Sequence, residues 1–406
     1  GLGDVYKRQG YMRPNGKAGA RNYVLLLPVN RSLNFIASNV ERMTRNTHHF
    51  EIPAETGRTE VDREVIARTL IGLMNNANVG GIVLLAVKSG AGSAYKNMCA
   101  ERFEEEARKT GKPFRIVYLT NVGGSYNMLG ETLRLTREVL LEVSDFRREN
   151  CPLSALTLGV KCGTSDATSG IAGNPCVGAA FDQLIRAGGT AFFSETTEII
   201  GAEDLVAKRA VNESVAKKIL SAARHWEDKA KATGEDIRKI NPIPANIAAG
   251  ISSLEEKSLG AIAKSGTSPI QDVLKYAEMP KGSGLYFVDS WMSSLSLPLC
   301  LTACGATIML YQMGGGKIAQ HPMMPSINPT VVSPFLYLTG NAIAYSRAPD
   351  NFDFDASPIM TEGASIPEMG TKLLEHLSAI ASGTMTKMET LNYAEQPELY
   401  MEGPVL

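Results

Sequence analysis

Short continuous runs of apolar residues alternate along this chain with longer stretches whose apolar residues recur every three or four positions. A continuous run predicts a strand buried on both faces, and the wider spacing predicts a helix with one buried face. The predicted strands are 23–29, 81–87, 115–119, 155–160 and 190–194. The predicted helices are 34–43, 60–74, 95–110, 128–144 and 178–187. This alternation predicts an α/β fold with mainly parallel, Rossmann-like sheets covered by helices.

The sequence divides best at the polar stretch 145–150, because the strand–helix pattern starts again after it. We therefore predict two lobes, an N-terminal α/β lobe over residues 10–146 and a C-terminal α/β catalytic lobe over residues 151–406. The second lobe adds a helical region at 203–233, strands at 284–288 and 306–313, and a helix at 365–382.

The first nine residues are interpreted separately from the fold. Residues 4–9 read DVYKRQ, which looks like the translated end of a transposon adapter used in sequencing libraries. The alternative is a genuine polar tail. We expect residues 1–9 to be such an artefact and leave them out of the predicted fold.

Composition and charge narrow the classes of partner. The 406 residues carry a formal net charge of −1, so there is no overall basic field to bind nucleic acid or an anionic membrane. No apolar run is long enough to cross a bilayer, and we expect no secretory signal. The six cysteines include no Cys-x-x-Cys pair, which favours buried thiols in the reducing cytoplasm over a zinc site or disulfides.

One candidate site directly follows the predicted strand 155–160. It contains, in order, Lys161, Cys162, Gly163, Thr164, Ser165 and Asp166. Open α/β sheets bind ligands at the carboxyl ends of their strands. The glycine permits close backbone approach, the hydroxyl groups can bind an anion, and the lysine can balance a carboxylate. The alternative is an ordinary strand-to-helix turn, with the aspartate as a cap and the cysteine packed in the turn.

A second candidate segment, 194–198 (SETTE), follows the next predicted strand. In a parallel sheet both segments end at the same edge, so Asp166, Glu195 and Glu198 are expected there together. They could provide a base or bind a divalent metal, for which Asp166 and Glu195 are the first candidates. In the alternative interpretation, Thr196 and Glu198 cap the next helix.

Two further features concern anion binding. Lys257 and Lys264 are seven residues apart, so a continuous helix would place them on one face, which is either anion-binding or solvated. The loop 314–317 (GGGK) fits a dinucleotide pattern only loosely, because Pro322 and Pro325 would interrupt the helix that this pattern needs. We expect no nucleotide, and we expect Lys264 and Lys317 to bind an anionic substrate.

Several motifs occur in one order along the chain. They are Gly10-Tyr11-x-Arg13-Pro14-x-Gly16, the segment 161–166 with Ser169-Gly170, Asn174-Pro175-x-Val177-Gly178, the segment 194–198, and the segments 255–260 and 264–266. Together they resemble the altronate/galactarate dehydratase family over nearly the whole chain from Gly10. Segments 56–58, 68–72 and 284–290 look most like the sulfo-lyase branch of that family.

The resemblance implies a lyase that eliminates water or sulfite from a 2-hydroxy carboxylic acid. Removing a proton next to a carboxylate requires a base, and cations must hold the enediolate-like charge that develops. The implied catalytic residues are Lys161, Asp166, Glu195 and Glu198. The implied substrate-binding residues are Cys162, Gly163, Thr164, Ser165, Lys264, Asp289, Lys317, Arg31 and Arg58.

The family's dehydratases carry a His/Cys pair after the first strand and a His-x-x-Gly-Cys segment, and this chain departs from both. Arg31-Ser32 stands at the first place and Glu55-Thr56-Gly57-Arg58 at the second. Arg31 and Arg58 are therefore expected to form a cationic pocket for a sulfonate or carboxylate, since a guanidinium matches a pair of oxygens. The alternative is that both arginines are surface residues.

The resemblance also implies a cofactor and partners. The dehydratases are iron-dependent, which implies a divalent metal, Fe²⁺ in the first place. Family enzymes carry a small antifreeze-like (SAF) domain, either fused or as a separate small subunit, and an oligomer is expected. The alternative function is a catalytically degenerate relative that serves as a binding or scaffold subunit.

Overall fold

A computed structural model describes residues 8–88, 95–315, 328–391 and 397–405. The strands are β1 (Arg8–Met12), β2 (Ala18–Gly19), β3 (Tyr23–Pro28), β4 (Thr47–His49), β5 (Val79–Ala86), β6 (Phe114–Tyr118), β7 (Glu149–Cys151), β8 (Thr157–Gly163), β9 (Thr190–Phe193), β10 (Ile270–Leu274), β11 (Gly284–Val288), β12 (Ile308–Met313), β13 (Phe335–Thr339) and β14 (Phe354–Asp355). The helices are α1 (Asn34–Met43), α2 (Glu60–Asn75), α3 (Ala100–Lys109), α4 (Leu119–Val122), α5 (Ser125–Ser144), α6 (Asn174–Arg186), α7 (Glu203–Ala207), α8 (Glu213–Ala232), α9 (Ile237–Ile240), α10 (Pro244–Ala248), α11 (Leu254–Ile262), α12 (Leu297–Ala303), α13 (Ala342–Arg347), α14 (Pro358–Thr361), α15 (Ile366–Ala381) and α16 (Lys387–Thr390).

The C-terminal lobe is built on a seven-stranded sheet in the order β10-β11-β9-β8-β12-β13-β14. Every neighbouring pair in it is parallel. The chain passes from β8 to one side of the sheet and later returns to β12 on the other side. The carboxyl ends of β8 and β12 therefore form the switch point at which doubly wound sheets bind ligands.

Burial on both faces explains why these strands read as continuous apolar runs. All six residues of β12 are buried. Leu310 packs on one face with Phe181 of α6 and Leu373 of α15, and Met309 packs on the other face with Leu301 of α12. A parallel sheet covered by helices on both sides requires this pattern.

The N-terminal lobe has a smaller parallel sheet in the order β4-β3-β5-β6. Its face toward α2 belongs to the same apolar cluster as α12 of the C-terminal lobe. Helices α2 and α12 approach closely at Gly72, where a Cβ would lie 2.2 Å from the carbonyl oxygen of Ala303. A larger side chain at this position would push the two lobes apart.

A third, antiparallel sheet in the order β2-β1-β7 begins at Arg8, which pairs with Cys151. Residues 8 and 9, which belong to the segment interpreted as an artefact, therefore form part of strand β1. That residues 1–9 derive from a sequencing adapter stays a prediction.

The predicted fold class and the predicted strands agree with the structure, and several boundaries differ. Helix α3 starts at Ala100 rather than at 95, and the helical region 203–233 is split into α7 and α8. Strand β10 was not predicted, because its polar residues Gln271 and Asp272 interrupt any apolar run. This strand lies at the edge of the sheet, where such residues reach water. Among the described helices, none is both long and apolar enough to span a membrane.

Candidate active site

The two segments proposed from the sequence meet at the carboxyl edge of the seven-stranded sheet. Segment 161–166 forms the end of β8 and the turn after it, and segment 194–198 follows the neighbouring β9. Lys161, Cys162, Glu195 and Glu198 are all buried. Parallel pairing therefore places charged residues from separate parts of the sequence in one apolar surrounding.

Glu195 lies at the centre of this group and is 0 % exposed. Its Oε2 accepts a hydrogen bond from the backbone N–H of Cys162 at 3.1 Å. The same oxygen is in close contact with the ammonium group of Lys264. Lys161 Nζ lies 3.5 Å from Oε1. One carboxylate thus faces two lysines from separate segments, Lys161 of β8 and Lys264 of the turn 263–265.

Glu198 extends the group on its other side. Its Oε2 accepts a hydrogen bond from the thiol of Cys162 at 3.1 Å, and its Oε1 lies 3.5 Å from Lys257 Nζ. Lys264 Nζ also lies 3.3 Å from Cys162 Sγ. We call Cys162, Glu195, Glu198, Lys161, Lys257 and Lys264 the buried ionic cluster. Three ammonium groups face two carboxylates, so with a neutral thiol the cluster carries one excess positive charge.

Burial and the neighbouring charges together shift the pKa values of Cys162 and Lys264. Burial raises the pKa of the Cys162 thiol, and the carboxylates of Glu195 and Glu198 raise it further. Burial alone would lower the pKa of Lys264, but Cys162, Glu195 and Glu198 outweigh it and raise that pKa above its ordinary value. The cluster therefore favours ammonium groups and a neutral thiol.

At Lys161 and Glu198, burial and the neighbouring groups shift the pKa in opposite directions. Burial would lower the pKa of Lys161, but Tyr311 and Glu195 raise it above its ordinary value. Burial would raise the pKa of Glu198, but the ammonium groups of Lys264 and Lys257 hold it below its ordinary value. The carboxylate of Glu198 is consequently kept charged inside the protein.

Backbone strain marks the ends of both strands. Thr164 and Glu195 have positive φ angles of 49° and 71°, which L residues other than glycine adopt at a cost. The turn at Glu195 returns its side chain to the end of β8. There, Oε1 is a buried oxygen that has no hydrogen-bond partner within the described residues. Such an acceptor is available to a proton on a bound ligand.

Asp166 does not join the buried ionic cluster. Its Oδ1 accepts hydrogen bonds from the hydroxyl of Thr168 at 2.6 Å and the backbone N–H of Ser169 at 3.1 Å. Its Oδ2 accepts one from Asn341 Nδ2 at 2.9 Å. Asp166 therefore binds the first residue of the π-helical turn Ser169–Gly173 and ties this turn to the residue Asn341 that follows β13.

The remaining residues of the segment after β8 shape its surroundings. A Cβ on Gly163 would lie 2.3 Å from the hydroxyl oxygen of Tyr311, so only glycine fits there. Ser165 is buried and lines a cavity of about 270 Å³, and its carbonyl accepts a hydrogen bond from Asn246 Nδ2 at 3.0 Å.

Asp289 lies away from the cluster, after β11. Its Oδ1 accepts hydrogen bonds from Thr196 Oγ1 at 2.8 Å and Trp226 Nε1 at 2.9 Å. It lines a cavity of about 580 Å³ to which α2 of the N-terminal lobe also contributes. Its contacts link the turns after β9 and β11.

Arg31 and Arg58 lie at the other sheet, and no contact described in the structure joins either to the buried ionic cluster. Arg31 is exposed, and Arg58 is half-buried with its Nε directed at the carbonyl of Ala54 at 3.4 Å. Neither forms an ion pair with a carboxylate of the described chain. Lys317 lies outside the described residues.

Other residues of the site were not singled out from the sequence. The ring of Tyr311 on β12 lies beside Lys161, with Nζ 4.9 Å from its centroid, and Asn341 fixes Asp166. The register that pairs Tyr311 with Lys161 follows from the strand order and is not visible in the sequence. Lys257 and Lys264 both lie beside Glu198. They do not share one helix face, because α11 ends at Ile262 and a short 3₁₀ turn carries Lys264.

Cys162, Glu195 and Glu198 form a buried group that could hold a metal ion, since one ligand atom of each lies within 4.8 Å of the others. A thiolate and two carboxylates suit a divalent transition metal. The ammonium group of Lys264 contacts two of these three side chains and lies 3.9 Å from Glu198 Oε2. The donor set therefore fits a cation, and a metal would have to displace this ammonium group.

A buried group of acids and lysines at the switch point of a doubly wound sheet is typical of an enzyme active site. Comparison with known sequences agrees. The D-galactarate/altronate dehydratase C-terminal domain matches residues 153–402, and the second domain of D-galactarate dehydratase/altronate hydrolase matches residues 10–144. The chain belongs to the D-galactarate/altronate dehydratase family of lyases.

Individual relatives span most of the chain. It is 32% identical to the (2R)-sulfolactate sulfo-lyase subunit beta of Chromohalobacter salexigens, over 95% of both chains. It is 29% identical to the altronate dehydratase of Bacillus subtilis, over 95% of this chain and 76% of that one. It is 30% identical to the galactarate dehydratase (L-threo-forming) of Escherichia coli, over 93% of this chain and 73% of that one. These relatives confirm the predicted family and the lyase class.

Proposed function

We propose that this chain is the large subunit of a lyase that eliminates water or sulfite from a 2-hydroxy carboxylic acid at the buried ionic cluster. The observation that carries the proposal is the Glu195 carboxylate. Its Oε1 is buried and without a hydrogen-bond partner in the described chain, Lys161 Nζ lies 3.5 Å from that oxygen, and Lys264 pairs with the other oxygen, Oε2. A base and fixed positive charges are the two requirements for forming an enediolate next to a carboxylate.

The roles follow from the positions of the side chains. Glu195 Oε1 accepts the proton from the carbon next to the substrate carboxylate. Lys161 stabilises the negative charge that develops there, because its ammonium group already lies 3.5 Å from Glu195 Oε1 and needs little rearrangement. Lys264 supplies the positive charge between Cys162 and Glu195 as long as no metal displaces it. Glu198 balances Lys257 and Lys264 and orients the thiol of Cys162. Asp166 acts as a positioning residue by fixing the π-helical turn.

The cofactor of the proposed enzyme is a divalent metal, Fe²⁺ in the first place. Cys162, Glu195 and Glu198 would hold it. When bound, a divalent metal supplies a Lewis acid that polarises the substrate carboxylate and the leaving oxygen. No nucleotide takes part in this proposal.

The proposed enzyme needs a small SAF-domain subunit and works as an oligomer in the cytoplasm. Two observations on the relatives support a second subunit. One relative is named as a subunit, and the chain covers 95% of it. The chain covers only 76% and 73% of the two dehydratases above, so those proteins have additional residues beyond the shared region.

Turnover assays test the function. The chain is combined with its candidate small subunit and Fe²⁺, and offered sulfolactate, altronate and galactarate. Formation of a keto acid or of sulfite supports an elimination, and the product identifies the leaving group. If no acid is converted by a folded complex, the scaffold interpretation replaces the enzyme. We expect the chain alone to be inactive, so ordinary turnover without the second subunit would contradict the partner proposal.

A further inference from the structure

Tyr311 extends from β12 to the carboxyl edge of the seven-stranded sheet. It pairs in register with Lys161 on β8, and its side chain reaches Gly163, the last residue of that strand. A Cβ on Gly163 would lie only 2.3 Å from the hydroxyl oxygen of Tyr311. The hydroxyl group therefore lies at the edge where doubly wound sheets bind their ligands.

Neighbouring rings hold the side chain of Tyr311 in place. Its ring stacks on Phe335 at a centroid distance of 5.7 Å and meets the ring of Tyr337 edge-on at 5.1 Å. Tyr311 is buried, so this packing restricts its rotation. A hydroxyl group that is fixed before the substrate binds needs little rearrangement during the reaction.

Lys161 lies beside both Tyr311 and the proposed base. Its Nζ lies 4.9 Å from the ring centroid of Tyr311 and 3.5 Å from Glu195 Oε1. Tyr311 and Glu195 thus approach the same ammonium group, one from β12 and the other from the turn after β9. The positive charge of this group stabilises a phenolate, which is what remains when Tyr311 has donated its proton.

The hydroxyl proton of Tyr311 is available for transfer to a ligand. The hydroxyl oxygen lies 3.1 Å from Ser294 Oγ, and either atom can be the donor in this hydrogen bond. When Ser294 donates, the proton of Tyr311 can bind a ligand instead. The thiol of Cys162, another proton-bearing group at the end of β8, donates to Glu198 at 3.1 Å. Tyr311 is therefore better placed than Cys162 to supply a proton.

We propose that Tyr311 is the general acid of an elimination of water and donates its hydroxyl proton to the leaving oxygen of the substrate. The assignment rests on the proposed function, which names Glu195 as the base but no side chain that supplies a proton. A hydroxyl group departs as water when it receives a proton, whereas sulfite departs as a stable anion. A complex that released only sulfite would therefore contradict this assignment.

The changes in protons and electrons balance without a further reactant. Glu195 accepts the proton of the carbon next to the carboxylate, and the electrons of that C–H bond form the double bond while the neighbouring C–O bond breaks. Tyr311 protonates the departing oxygen and becomes a phenolate. When the resulting enol becomes a keto acid, its hydroxyl proton returns to Tyr311 and Glu195 gives its proton to the adjacent carbon. Both side chains regain their starting states, and one water molecule is released.

The variant Tyr311→Phe removes the proton and keeps the ring. Steady-state kinetics of the two-subunit complex compare two substrates. One is altronate or galactarate, whichever the native complex dehydrates, and the other is its analogue with fluorine in place of the leaving hydroxyl group. Fluoride departs as an anion and needs little help from an acid. We expect Tyr311→Phe to slow the dehydration by at least about 10²-fold and the reaction of the fluoro analogue by less than about threefold.

The variant Tyr276→Phe is the matched control. Tyr276 is also buried, and its hydroxyl oxygen lies 3.0 Å from Ser296 Oγ. No contact described in the structure joins this tyrosine to the buried ionic cluster. Because Tyr276→Phe loses a hydrogen bond but no proposed proton donor, we expect both compounds to react within about threefold of the native rate.

The outcomes separate this assignment from the proposed function. If the native complex converts no acid, the elimination fails and the assignment fails with it. If the native complex dehydrates an acid and Tyr311→Phe does so at the same rate, the elimination stands and Tyr311 is not its acid. Equal slowing of the hydroxy acid and the fluoro analogue would show that Tyr311 only supports the structure of the site, and would also overturn the assignment.

Discussion

The two parallel sheets of this chain are built alike, but the side chains at their carboxyl edges differ. In the C-terminal lobe, two glutamates, three lysines and a thiol are buried together at the ends of β8 and β9 and on the 254–265 segment. In the N-terminal lobe, Glu55 accepts hydrogen bonds from Asn30 Nδ2 at 3.0 Å and the backbone N–H of Arg31 at 3.1 Å, and no lysine or arginine of the described residues forms an ion pair with it. The edge of the C-terminal sheet buries a group of charged side chains. At the edge of the N-terminal sheet, the carboxylate of Glu55 fixes the turn at Asn30 and Arg31.

This difference indicates which of the two sheet edges is suited to catalysis. Burying several charges costs free energy unless they are paired, so a buried cluster with excess positive charge favours a bound anion. A hydrogen-bonded carboxylate at a strand end needs no such explanation. We therefore expect chemistry at this position in the C-terminal sheet and a purely structural role at the same position in the N-terminal sheet.

The largest expected effect comes from removing the charge at the centre of the cluster. Glu195→Gln leaves Lys161 and Lys264 without their main counter-charge and removes the proposed base. We expect turnover of the two-subunit complex to fall by about 10³-fold, within the range for loss of a general base, and the free energy of unfolding to fall by about 3 kcal/mol. Steady-state kinetics and urea denaturation measure the two changes.

Glu55→Gln is the matched control at the other sheet. Its side chain can still accept one of its two hydrogen bonds, so we expect turnover within about threefold of the native value and a loss of stability of about 1 kcal/mol. If Glu55→Gln impaired turnover as strongly as Glu195→Gln, the N-terminal edge would take part in the chemistry, contrary to our expectation.

The location of the cluster could be predicted from the sequence, and its full membership could not. Apolar runs identified β8 and β9, and parallel pairing then brought Glu195 and Glu198 to the end of β8. Asp166 was expected beside them. The left-handed turn at Thr164 instead leads the chain away, so that Asp166 binds the backbone N–H of Ser169 at the start of the π-helical turn. Such a turn at a residue other than glycine leaves no mark in the sequence.

The burial of Lys257 and Lys264 is a second feature of the cluster that the sequence alone could not predict. Their spacing suggested one helix face, which does not distinguish an anion site from a solvated surface. Their burial depends on α11 packing beside the π-helical turn, where a Cβ on Gly170 would lie 3.0 Å from the Cα of Gly260. Contacts of this kind between distant segments arise from the tertiary structure, as does the pairing of Tyr311 with Lys161.

A smaller effect is expected from the two arginines of the N-terminal lobe, whose role in binding the leaving group stays a prediction. Arg31→Met and Arg58→Met remove the charges of an exposed and a half-buried side chain. Because water and salt screen such charges, we expect the KM for sulfolactate or altronate to rise by no more than about threefold. An increase of about thirtyfold for sulfolactate alone would show that these arginines bind its sulfonate, and would move part of the substrate site to this lobe.

The smallest effect concerns a charge cluster of the N-terminal lobe that we expect to act on stability alone. Burial would raise the pKa of Glu41, but hydrogen bonds from His48 and His49 lower it from 4.5 to about 2. Burial would lower the pKa of His49, but Glu41 and Glu51 raise it above its usual 6.5. Glu41 therefore stabilises the fold above about pH 4.5 and loses this effect as the pH falls toward 2.

The contribution of His49 to stability has the opposite dependence on pH. Its stabilisation is complete below pH 6.5 and is lost as the pH rises through its elevated pKa. Glu41→Gln should therefore lower the free energy of unfolding most between about pH 4.5 and 6.5, by about 1 kcal/mol, since the pair is partly exposed. Urea denaturation between pH 3 and 9 measures this profile.

The control is Glu368→Gln, which breaks an exposed pair with Lys372 and involves no histidine. Its effect on the free energy of unfolding should not decline above pH 6.5. If both variants gave the same profile, the histidines would not carry the effect. If Glu41→Gln also reduced turnover, this charge cluster would no longer be purely structural.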